Sequence, residues 1–227
     1  MKKISIVTGG SSGLGKELAK ELVARGQNVC ILARDAKKIQ LTISGIGGNV
    51  LGYSCDLCDE TAVHSVFADL QEKGYYVDYL YNCAGQGLFG VPTAMHIQQI
   101  QAVMNSNAIG LMCISYEACR YMTEGGTIIN IASTAGLKGN PEETLYCASK
   151  WAVRGFTEAL RAYYKKSPIH IVGVYPGGIN TPFWKPDCGL SPDVSKFMDP
   201  AEVAKVIIEN VLEKKTLYTA DLTIERK

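Results

Sequence analysis

Short apolar runs alternate with longer amphipathic segments along almost the whole sequence. Residues 4–8 and 29–33 are short, apolar and rich in Ile, Leu and Val, as buried strands are. Residues 14–25 place leucine and valine on one helical face and are followed by glycine, which favours a helix end. This alternation predicts an α/β fold in which a mostly parallel sheet carries helices on both faces.

The same pattern continues without a repeat or a linker-like segment. We further predict strands at residues 50–54, 77–81, 127–132, 169–175 and 217–224, a short helix after Asp35, and helices at 61–73, 97–122, 142–166 and 201–214. We therefore expect one Rossmann-like, doubly wound domain over residues 1–227. Ligands of such sheets bind beyond the carboxyl ends of the strands, so motifs at strand ends matter most.

Composition and charge exclude several classes of protein. Lys and Arg number 23 against 22 Asp and Glu, so the net charge of +1 provides no general basic field for a nucleic-acid partner. The longest apolar run, residues 108–114, is shorter than the ~18 residues that a membrane span needs. No signal-peptide pattern precedes the first strand, and we expect a cytoplasmic protein without a membrane partner.

The eight cysteines are too few for a disulfide scaffold. Cys55 and Cys58 form a single C-x-x-C pair, whereas a zinc site would need a second pair of ligands. We therefore expect no metal. A redox role for this pair stays open beside the interpretation of two cysteines at the border of the core, and we expect Cys147 to be structural.

A glycine-rich turn follows the first strand and opens the first helix, in the order Thr-Gly-Gly-Ser-Ser-Gly-Leu-Gly over residues 8–15. Glycines allow a tight turn and a close approach of the backbone to a ligand. The start of a helix presents free N–H groups to an anion, and a pyrophosphate is the natural occupant. The candidate cofactor-binding residues of this turn are Gly9, Ser11, Ser12, Gly13, Leu14 and Gly15. The alternative is a glycine-rich turn without a ligand.

The same residues also fit the G-x-S-x-G pattern of a serine hydrolase, through Gly9, Ser11 and Gly13. That chemistry needs a histidine on a loop downstream of the serine. Of the three histidines, His170 lies in a predicted strand, and His64 and His96 lie in or beside predicted helices. The hydrolase interpretation is therefore the weaker one.

Arg34 follows the second strand, at the distance where a dinucleotide-binding fold distinguishes its cofactors. An acidic residue there binds the ribose hydroxyls of NAD, whereas an arginine accommodates the 2′-phosphate of NADP. Asp35 is the competing neighbour, but we expect it to cap the helix that follows. Arg34 therefore favours NADP(H) over NAD(H).

Tyr146 and Lys150 lie four residues apart on one predicted helix face, and Ser133 ends the fifth strand thirteen residues before Tyr146. At these residues the chain resembles the short-chain dehydrogenases/reductases of the short, single-domain kind. The resemblance covers residues 3 to about 182. Its motifs are residues 8–15, Asp56, the run Asn82-Cys83-Ala84-Gly85, Asn107, Ser133, Tyr146, Lys150 and residues 176–181.

The resemblance implies an NADP-dependent oxidoreductase and a catalytic role for four residues. Tyr146 would be the general acid in carbonyl reduction, and the charge of Lys150 would lower the pKa of Tyr146. Lys150 would also hold the nicotinamide ribose. Ser133 would bind the substrate oxygen, and Asn107 would hold a water that connects Lys150 to solvent.

The resemblance also implies the remaining cofactor contacts. Asp56 and Leu57 would meet the adenine, and Asn82 would brace the loop that contains Ala84 and Gly85. The cofactor-binding residues at the sixth strand would be Pro176, Gly177, Ile179 and Thr181. Cys83 stands where the family usually has a second Asn. A homodimer or homotetramer is implied, through the helices near residues 101–122 and 142–166.

A loop of about residues 182–200 would cover the substrate. It contains Phe183, Trp184, Leu190, Phe197 and Met198, and Leu88 and Phe89 would form the opposite wall. Such a lid suits a small apolar or aromatic ketone or aldehyde, although these residues would also serve simply to fold the loop onto the body. The alternatives for function are an NAD-dependent secondary alcohol dehydrogenase and a non-catalytic NADP-binding regulatory protein.

Overall fold

A seven-stranded parallel sheet organises the computed structural model, which describes residues 1–122, 125–184, 186–212 and 217–227. The strands are β1 (Lys2–Thr8), β2 (Asn28–Ala33), β3 (Val50–Ser54), β4 (Tyr75–Asn82), β5 (Gly126–Ile131), β6 (Ile169–Pro176) and β7 (Asp221–Ile224). Their order is β3-β2-β1-β4-β5-β6-β7, and every neighbouring pair is parallel. The order reverses between β1 and β4, which opens a crevice for a ligand at their carboxyl ends. The predicted doubly wound fold is confirmed.

Helices cover both faces of the sheet. They are α1 (Gly13–Ala24), α2 (Ala36–Ile46), α3 (Glu60–Glu72), α4 (Ile97–Met104), α5 (Gly110–Tyr121), α6 (Thr144–Tyr163) and α7 (Pro200–Val211). Successive strand residues point to opposite faces. Val7 therefore joins the apolar cluster of α1, α2 and α7, whereas Ile6 joins that of α3, α5 and α6. Among the described residues, none of these helices has the length and apolar character needed to cross a membrane.

Aspartate side chains mark three helix starts. Asp35, Asp59 and Asp199 accept hydrogen bonds from backbone N–H groups in the first turns of α2, α3 and α7. Such caps satisfy N–H groups that have no partner within the helix. The expected cap at Asp35 is confirmed. The predicted helix at 201–214 begins at Pro200 and ends at Val211, where Leu212 has an extended backbone, and residues 213 and 214 lie outside the described residues.

The predicted helix at 97–122 is not continuous. A π-helical turn, Asn105–Ile109, separates α4 from α5. Asn107 in this turn is fully buried, and its side chain binds the backbone of Gln86 instead of facing solvent. Turns of this kind insert one extra residue and occur frequently at functional sites.

Two other predicted elements are shorter in the structure. Helix α6 begins at Thr144 rather than at residue 142, because the preceding Asn140 and Glu143 side chains bond to each other in a turn. The last strand begins at Asp221 rather than at residue 217. Arg161 of α6 holds that point with two hydrogen bonds to the carboxylate of Asp221. Strand pairing therefore starts where β7 is anchored.

A chain of buried polar side chains runs between the sheet and two helices. Asn82 of β4 donates to Ser115 of α5 and to Asn130 of β5, both at 2.9 Å. Asn130 in turn donates to the hydroxyl of Thr157 in α6, also at 2.9 Å. All four residues are buried. Because water does not reach these groups, each hydrogen bond fixes how the two helices sit on the sheet.

We expect Thr157→Val to reduce the free energy of unfolding by about 1–3 kcal/mol, because it leaves the buried amide of Asn130 without its acceptor. In a chain of this size that loss corresponds to a decrease in Tm of roughly 2–4 °C per kcal/mol. Calorimetry or urea unfolding measures it. Thr61→Val, at an exposed position in α3, is the control and should change stability little. Equal effects of the two substitutions would contradict the role of Thr157.

Candidate active site

The predicted site residues gather along one edge of the sheet. The glycine turn follows β1, the Asn82–Gly85 run follows β4, Ser133 follows β5, and residues 176–181 follow β6. All strands are parallel, so these carboxyl ends meet on the same side of the molecule. Helix α6 brings Tyr146 and Lys150 to this edge from the β5 side.

The glycine turn forms a cradle of bare backbone. Gly9 and Gly13 have positive φ angles of 65° and 52°. A Cβ atom at Gly13 would lie 3.3 Å from Cβ of Thr181, and one at Gly15 would lie 2.6 Å from the carbonyl oxygen of Gly9. Ser12, at the N-cap of α1, makes no side-chain capping bond, and the first turn of α1 has no acidic residue. The free N–H groups therefore fit an anionic group such as a pyrophosphate.

Thr8 joins the glycine turn to the loop after β4. Its hydroxyl accepts hydrogen bonds from the backbone N–H groups of Cys83, at 3.0 Å, and Ala84, at 3.1 Å. A Cβ atom at Gly9 would lie only 2.9 Å from Cα of Ala84. The two loops therefore pack backbone against backbone. Thr8 has no predicted role of its own in the sequence, although a hydroxyl residue directly before the turn is a signal for one.

The second strand ends in a pair of residues with different tasks. Arg34 is exposed, and its backbone oxygen accepts a hydrogen bond from Ser54 at 2.9 Å. Asp35 is occupied as the cap of α2, where it accepts the N–H of Lys38 at 3.1 Å. The Arg34 guanidinium thus lies in solvent at the edge of the crevice, while a carboxylate oxygen of its neighbour is already engaged. An exposed guanidinium at this position could bind a phosphate group.

The third strand leads into the second predicted contact region. Asp56 is exposed and accepts the N–H of Cys58 at 3.0 Å. Leu57 is partly buried against α5, where a Cβ atom at Gly110 would lie 2.8 Å from the Leu57 Cβ. Cys55 is buried and Cys58 exposed, and all eight cysteines are free thiols. Among the described residues no cluster of His, Cys, Asp and Glu fits a metal ion.

Ser133, Tyr146 and Lys150 lie together at the end of β5. Lys150 is buried and donates from its Nζ to the carbonyl oxygen of Ile131 at 2.9 Å. The same Nζ atom lies 5.7 Å from the centre of the Tyr146 ring. The Ser133 hydroxyl accepts the N–H of Ala135 at 3.1 Å and makes a hydrogen bond with Tyr146. A hydroxyl, a phenol and an amine thus surround one position at the edge of the sheet.

Burial controls the proton affinity of both Tyr146 and Lys150. It raises the pKa of the Tyr146 hydroxyl, and the hydrogen bond with Ser133 acts in the opposite direction. It lowers the pKa of Lys150 to about 8. The resemblance implies that Lys150 lowers the pKa of Tyr146, and in the chain alone this is wrong, because the pKa of Tyr146 is raised. Loss of solvent around the phenol is the largest cause of this rise.

Asn107 holds the loop after β4 with every polar atom of its side chain. Its Oδ1 accepts the N–H of Gln86 at 2.8 Å, and its Nδ2 donates to the carbonyl oxygen of Gln86 at 2.9 Å and to Ser149 at 3.0 Å. A Cβ atom at Gly85 would lie 3.2 Å from this Oδ1 and 3.8 Å from Nζ of Lys150. Asn107 and Lys150 therefore flank the same bare stretch of backbone.

Asn82 and the segment after β6 have mainly internal bonds. The Asn82 side chain is committed to Ser115 and Asn130 in the interior, so it braces β4 as expected, and it does not reach the crevice. Gly177 donates its N–H to Ile224 of β7 at 2.9 Å. Ile179 pairs with Met198 in an isolated bridge. These bonds fix the segment whose Thr181 lies against Gly13.

Aromatic rings cover Tyr146. Phe89 and Phe183 each place a ring centre 5.4 Å from that of Tyr146, in edge-to-face contacts. Trp184 stacks on Phe89 at 5.4 Å and contacts Phe197. The N–H of Phe89 also donates to the carbonyl oxygen of Cys188 at 2.8 Å. Aromatic residues of the predicted covering loop and of the opposite wall thus form one cluster. Lys185 of this loop lies outside the described residues.

Comparisons with known proteins agree on the family. The short chain dehydrogenase family matches residues 3–188. The chain belongs to this family. Carbonyl reductase family member 4 of Danio rerio is 32% identical over 92% of this chain and 90% of its own length. The 3-oxoacyl-[acyl-carrier-protein] reductase of Homo sapiens is 31% identical over 82% of this chain and 79% of its own.

A solved structure of ElxO with NADP bound has a similar fold. It is 30% identical in sequence and superimposes with a TM-score of 0.87 over 99% of this chain and 97% of its own. Members of the short chain dehydrogenase family are oxidoreductases that use a nicotinamide cofactor, and the chain is therefore an oxidoreductase of this family.

Short chain dehydrogenase chemistry displaces the serine hydrolase interpretation. His64 bonds to Glu117 between α3 and α5, and His96 caps α4. His170 lies near the amino end of β6 and stacks on Tyr218. Ser11 lies at the carboxyl edge of the sheet, and each described histidine is engaged elsewhere. The G-x-S-x-G pattern is therefore part of the glycine turn.

We expect Lys150→Met to increase the free energy of unfolding at pH 7, although it removes a site residue. The pKa of Lys150 falls from 10.5 to about 8 on folding, so below pH 8 burial of its charge costs about 3 kcal/mol. Between pH 8 and 10.5 the unfolded chain binds more protons, so the stability of the unsubstituted protein rises relative to the variant. Urea unfolding from pH 7 to 10.5 should show the difference shrinking.

Lys165→Met is the control for this measurement, because Lys165 is exposed just beyond the end of α6. The difference in the free energy of unfolding between Lys165→Met and the unsubstituted protein should not change in this way between pH 7 and 10.5. A Lys150→Met protein that is less stable than the unsubstituted protein at pH 7, by a constant amount up to pH 10.5, would contradict the effect of burial.

Proposed function

We propose that this chain is an NADP-dependent carbonyl reductase that converts a small apolar or aromatic ketone or aldehyde reversibly to the alcohol. The observation that carries the proposal is the grouping of Ser133, Tyr146 and Lys150 beside a bare glycine cradle. Residues 1–227 would act as one catalytic domain. A cytoplasmic location is part of the proposal, in line with the free state of the cysteines.

The cofactor would extend along the crevice from Arg34 to Lys150. The glycine turn, Gly9 and Ser11 to Gly15, would hold the pyrophosphate, and Arg34 would hold the 2′-phosphate. Asp56 and Leu57 would meet the adenine. The nicotinamide end would lie among the remaining candidate residues, namely Ala84, Gly85, Tyr146, Lys150, Pro176, Gly177, Ile179 and Thr181. Asn82 would brace the loop of Ala84 and Gly85 from the interior.

When bound, the cofactor supplies the hydride for the carbonyl carbon. Tyr146 would donate its hydroxyl proton to the carbonyl oxygen, and Ser133 would stabilise the charge that develops on that oxygen. Lys150, with a pKa of about 8, carries a proton at neutral pH and would stabilise the tyrosinate that forms. Asn107 would keep the loop around Gly85 in place beside this amine.

The aromatic cluster supports the substrate class. Phe89, Phe183 and Trp184 surround Tyr146 with apolar surface. No charged side chain takes part in this cluster of described residues, which favours a neutral carbonyl compound over a highly anionic one. The similarity to a carbonyl reductase points the same way. The exposed guanidinium of Arg34 and the similarity to a structure with NADP bound support the choice of cofactor.

We further propose that the protein forms a homodimer or homotetramer. Ile109, Tyr116 and Trp151 expose 49%, 56% and 46% of their surfaces on the π turn, α5 and α6. Exposed large apolar side chains on neighbouring helices are typical of an interface.

There are two alternatives to the proposed activity. One is an NAD-dependent secondary alcohol dehydrogenase, and the other is a regulatory protein that binds NADP without catalysis.

We expect Tyr146→Phe to lower kcat for reduction of 1-phenyl-1,2-propanedione by about 10²–10⁴-fold while NADPH binding remains, because only the acidic hydroxyl is removed. NADPH oxidation and quenching of protein fluorescence measure the two quantities. Tyr163→Phe is the matched control, since Tyr163 is 81% exposed at the end of the same helix. Turnover that persists in Tyr146→Phe would favour a different acid, and a protein that binds NADPH but reduces no carbonyl compound would favour the regulatory alternative.

We expect Arg34→Met to weaken NADPH binding by about 10–100-fold and to leave NADH binding unchanged. The estimate corresponds to the loss of charge-assisted hydrogen bonds to one phosphate. Fluorescence titrations with both cofactors measure the difference. Lys37→Met removes the same charge from a neighbouring exposed position and should have little effect. Tighter binding of NADH than of NADPH to the unsubstituted protein would support the NAD-dependent alternative.

A further inference from the structure

Two buried serines have the same hydrogen-bond pattern in different helices. Ser149 of α6 and Ser115 of α5 are both fully buried. Each hydroxyl donates at 2.7 Å to a carbonyl oxygen of its own helix, from Ser149 to Tyr146 and from Ser115 to Leu111. Each also accepts an asparagine amide, from Asn107 at 3.0 Å and from Asn82 at 2.9 Å. The two serines differ in the further partners of their asparagines, because Asn107 binds the backbone of Gln86 and Asn82 binds Asn130.

The donors and acceptors around Ser149 leave one consistent arrangement. A serine hydroxyl has one proton, and here that proton goes to the carbonyl oxygen of Tyr146. Toward Asn107 the hydroxyl is therefore an acceptor, and it must face the Nδ2 atom. The Oδ1 atom of Asn107 is then directed to the N–H of Gln86. Ser149 thus links the loop after β4 to the carbonyl group of Tyr146.

This link spans the two sides of the candidate site. On one side Asn107 clamps both backbone polar groups of Gln86, next to Gly85. On the other side Ser149 directly precedes Lys150, whose amine is held only by the carbonyl oxygen of Ile131 among the described hydrogen bonds. The Ser149 hydroxyl therefore lies between the clamped loop and the helix that carries Lys150.

We propose that Ser149 is a positioning residue, which sets the distance between the loop at Gly85 and Gln86 and the helix that carries Tyr146 and Lys150. The expected effect of Ser149 on turnover rests on the proposed function, whereas its expected effect on the loop does not. Ser149 is fully buried, so it would act through Asn107 and the carbonyl group of Tyr146 rather than on a ligand. Removing its hydroxyl leaves a buried amide proton of Asn107 without an acceptor and frees the clamped loop from α6.

Ser149→Ala and Ser115→Ala are a matched pair for the test. Both remove a buried hydroxyl that accepts an asparagine amide, so both should lower Tm by similar amounts. Only Ser149→Ala should speed the amide hydrogen exchange of Gln86, by about tenfold or more, because its partner Asn107 has lost one anchor. This readout needs no substrate, so it remains valid if the protein reduces no carbonyl compound.

Activity provides the second readout. With 1-phenyl-1,2-propanedione and NADPH, Ser149→Ala should lower kcat about tenfold and change KM less than twofold, whereas Ser115→Ala should keep kcat within twofold. The pH midpoint of kcat should rise in Ser149→Ala alone, because a less well placed Lys150 stabilises the tyrosinate less. Ser149→Cys keeps a weak donor and acceptor of similar size and should restore part of the kcat.

Equal rates of Gln86 amide exchange in the two alanine variants would overturn the proposal. The same loss of kcat and the same pH midpoint of kcat in both variants would also overturn it. If Ser149→Ala does not fold, the same comparison is made with Ser149→Cys against Ser115→Cys. Faster Gln86 exchange and a shifted pH midpoint only in the Ser149 variant would then support the positioning role. Absence of both differences would contradict it.

Discussion

The parallel direction of all seven strands is the constraint on which the rest of the molecule depends. It places the carboxyl ends of β1, β4, β5 and β6 at one edge, so residues far apart in sequence become neighbours there. Thr8 and Ala84 meet through a hydrogen bond, and Gly13 lies against Thr181. Both contacts join loops that follow parallel strands and therefore lie at the same edge of the sheet.

The helix that carries Tyr146 and Lys150 keeps polar groups where apolar ones would be more stable. Lys150 is buried with a single carbonyl partner, and burial disfavours its charged form. Asn107 and Ser149 are buried as well, although each finds partners for its polar atoms. Proteins commonly accept such local losses of stability where chemistry is performed. The large apolar clusters on both faces of the sheet offset them.

Local sequence patterns were sufficient for most of the fold. The apolar runs and the glycines predicted strands β2 and β3 almost to the residue, and Asp35 was recognised as a cap because its role is local. The π turn at Asn107 was not predicted, because one extra residue changes the spacing of apolar residues in a long helical segment very little. The shortened β7 was not predicted either, since its start depends on the bond of Arg161 to Asp221, sixty residues away.

The candidate site was predictable in its residue types but not in its environment. Tyr146, Lys150 and Ser133 have recognisable spacing, and the structure brings them together. The roles of Thr8 and Ser149 depend on partners in distant segments, and no spacing in the sequence reveals those partners. The predicted direction of the Tyr146 pKa shift was wrong for the same reason. Burial under Phe89 and Phe183, which raises this pKa, is a property of the folded chain.

The division of the core has an evolutionary consequence. The glycine turn rests on α1 and the cluster of α1, α2 and α7, whereas Tyr146 and Lys150 rest on α6, whose buried apolar residues include members of two clusters on the opposite face. The central sheet separates the clusters of the two faces, so a substitution on one face scarcely disturbs the packing of the other. Mutational drift can therefore alter one half of the crevice while selection keeps the other half intact. New specificities in such a chain can arise one face at a time.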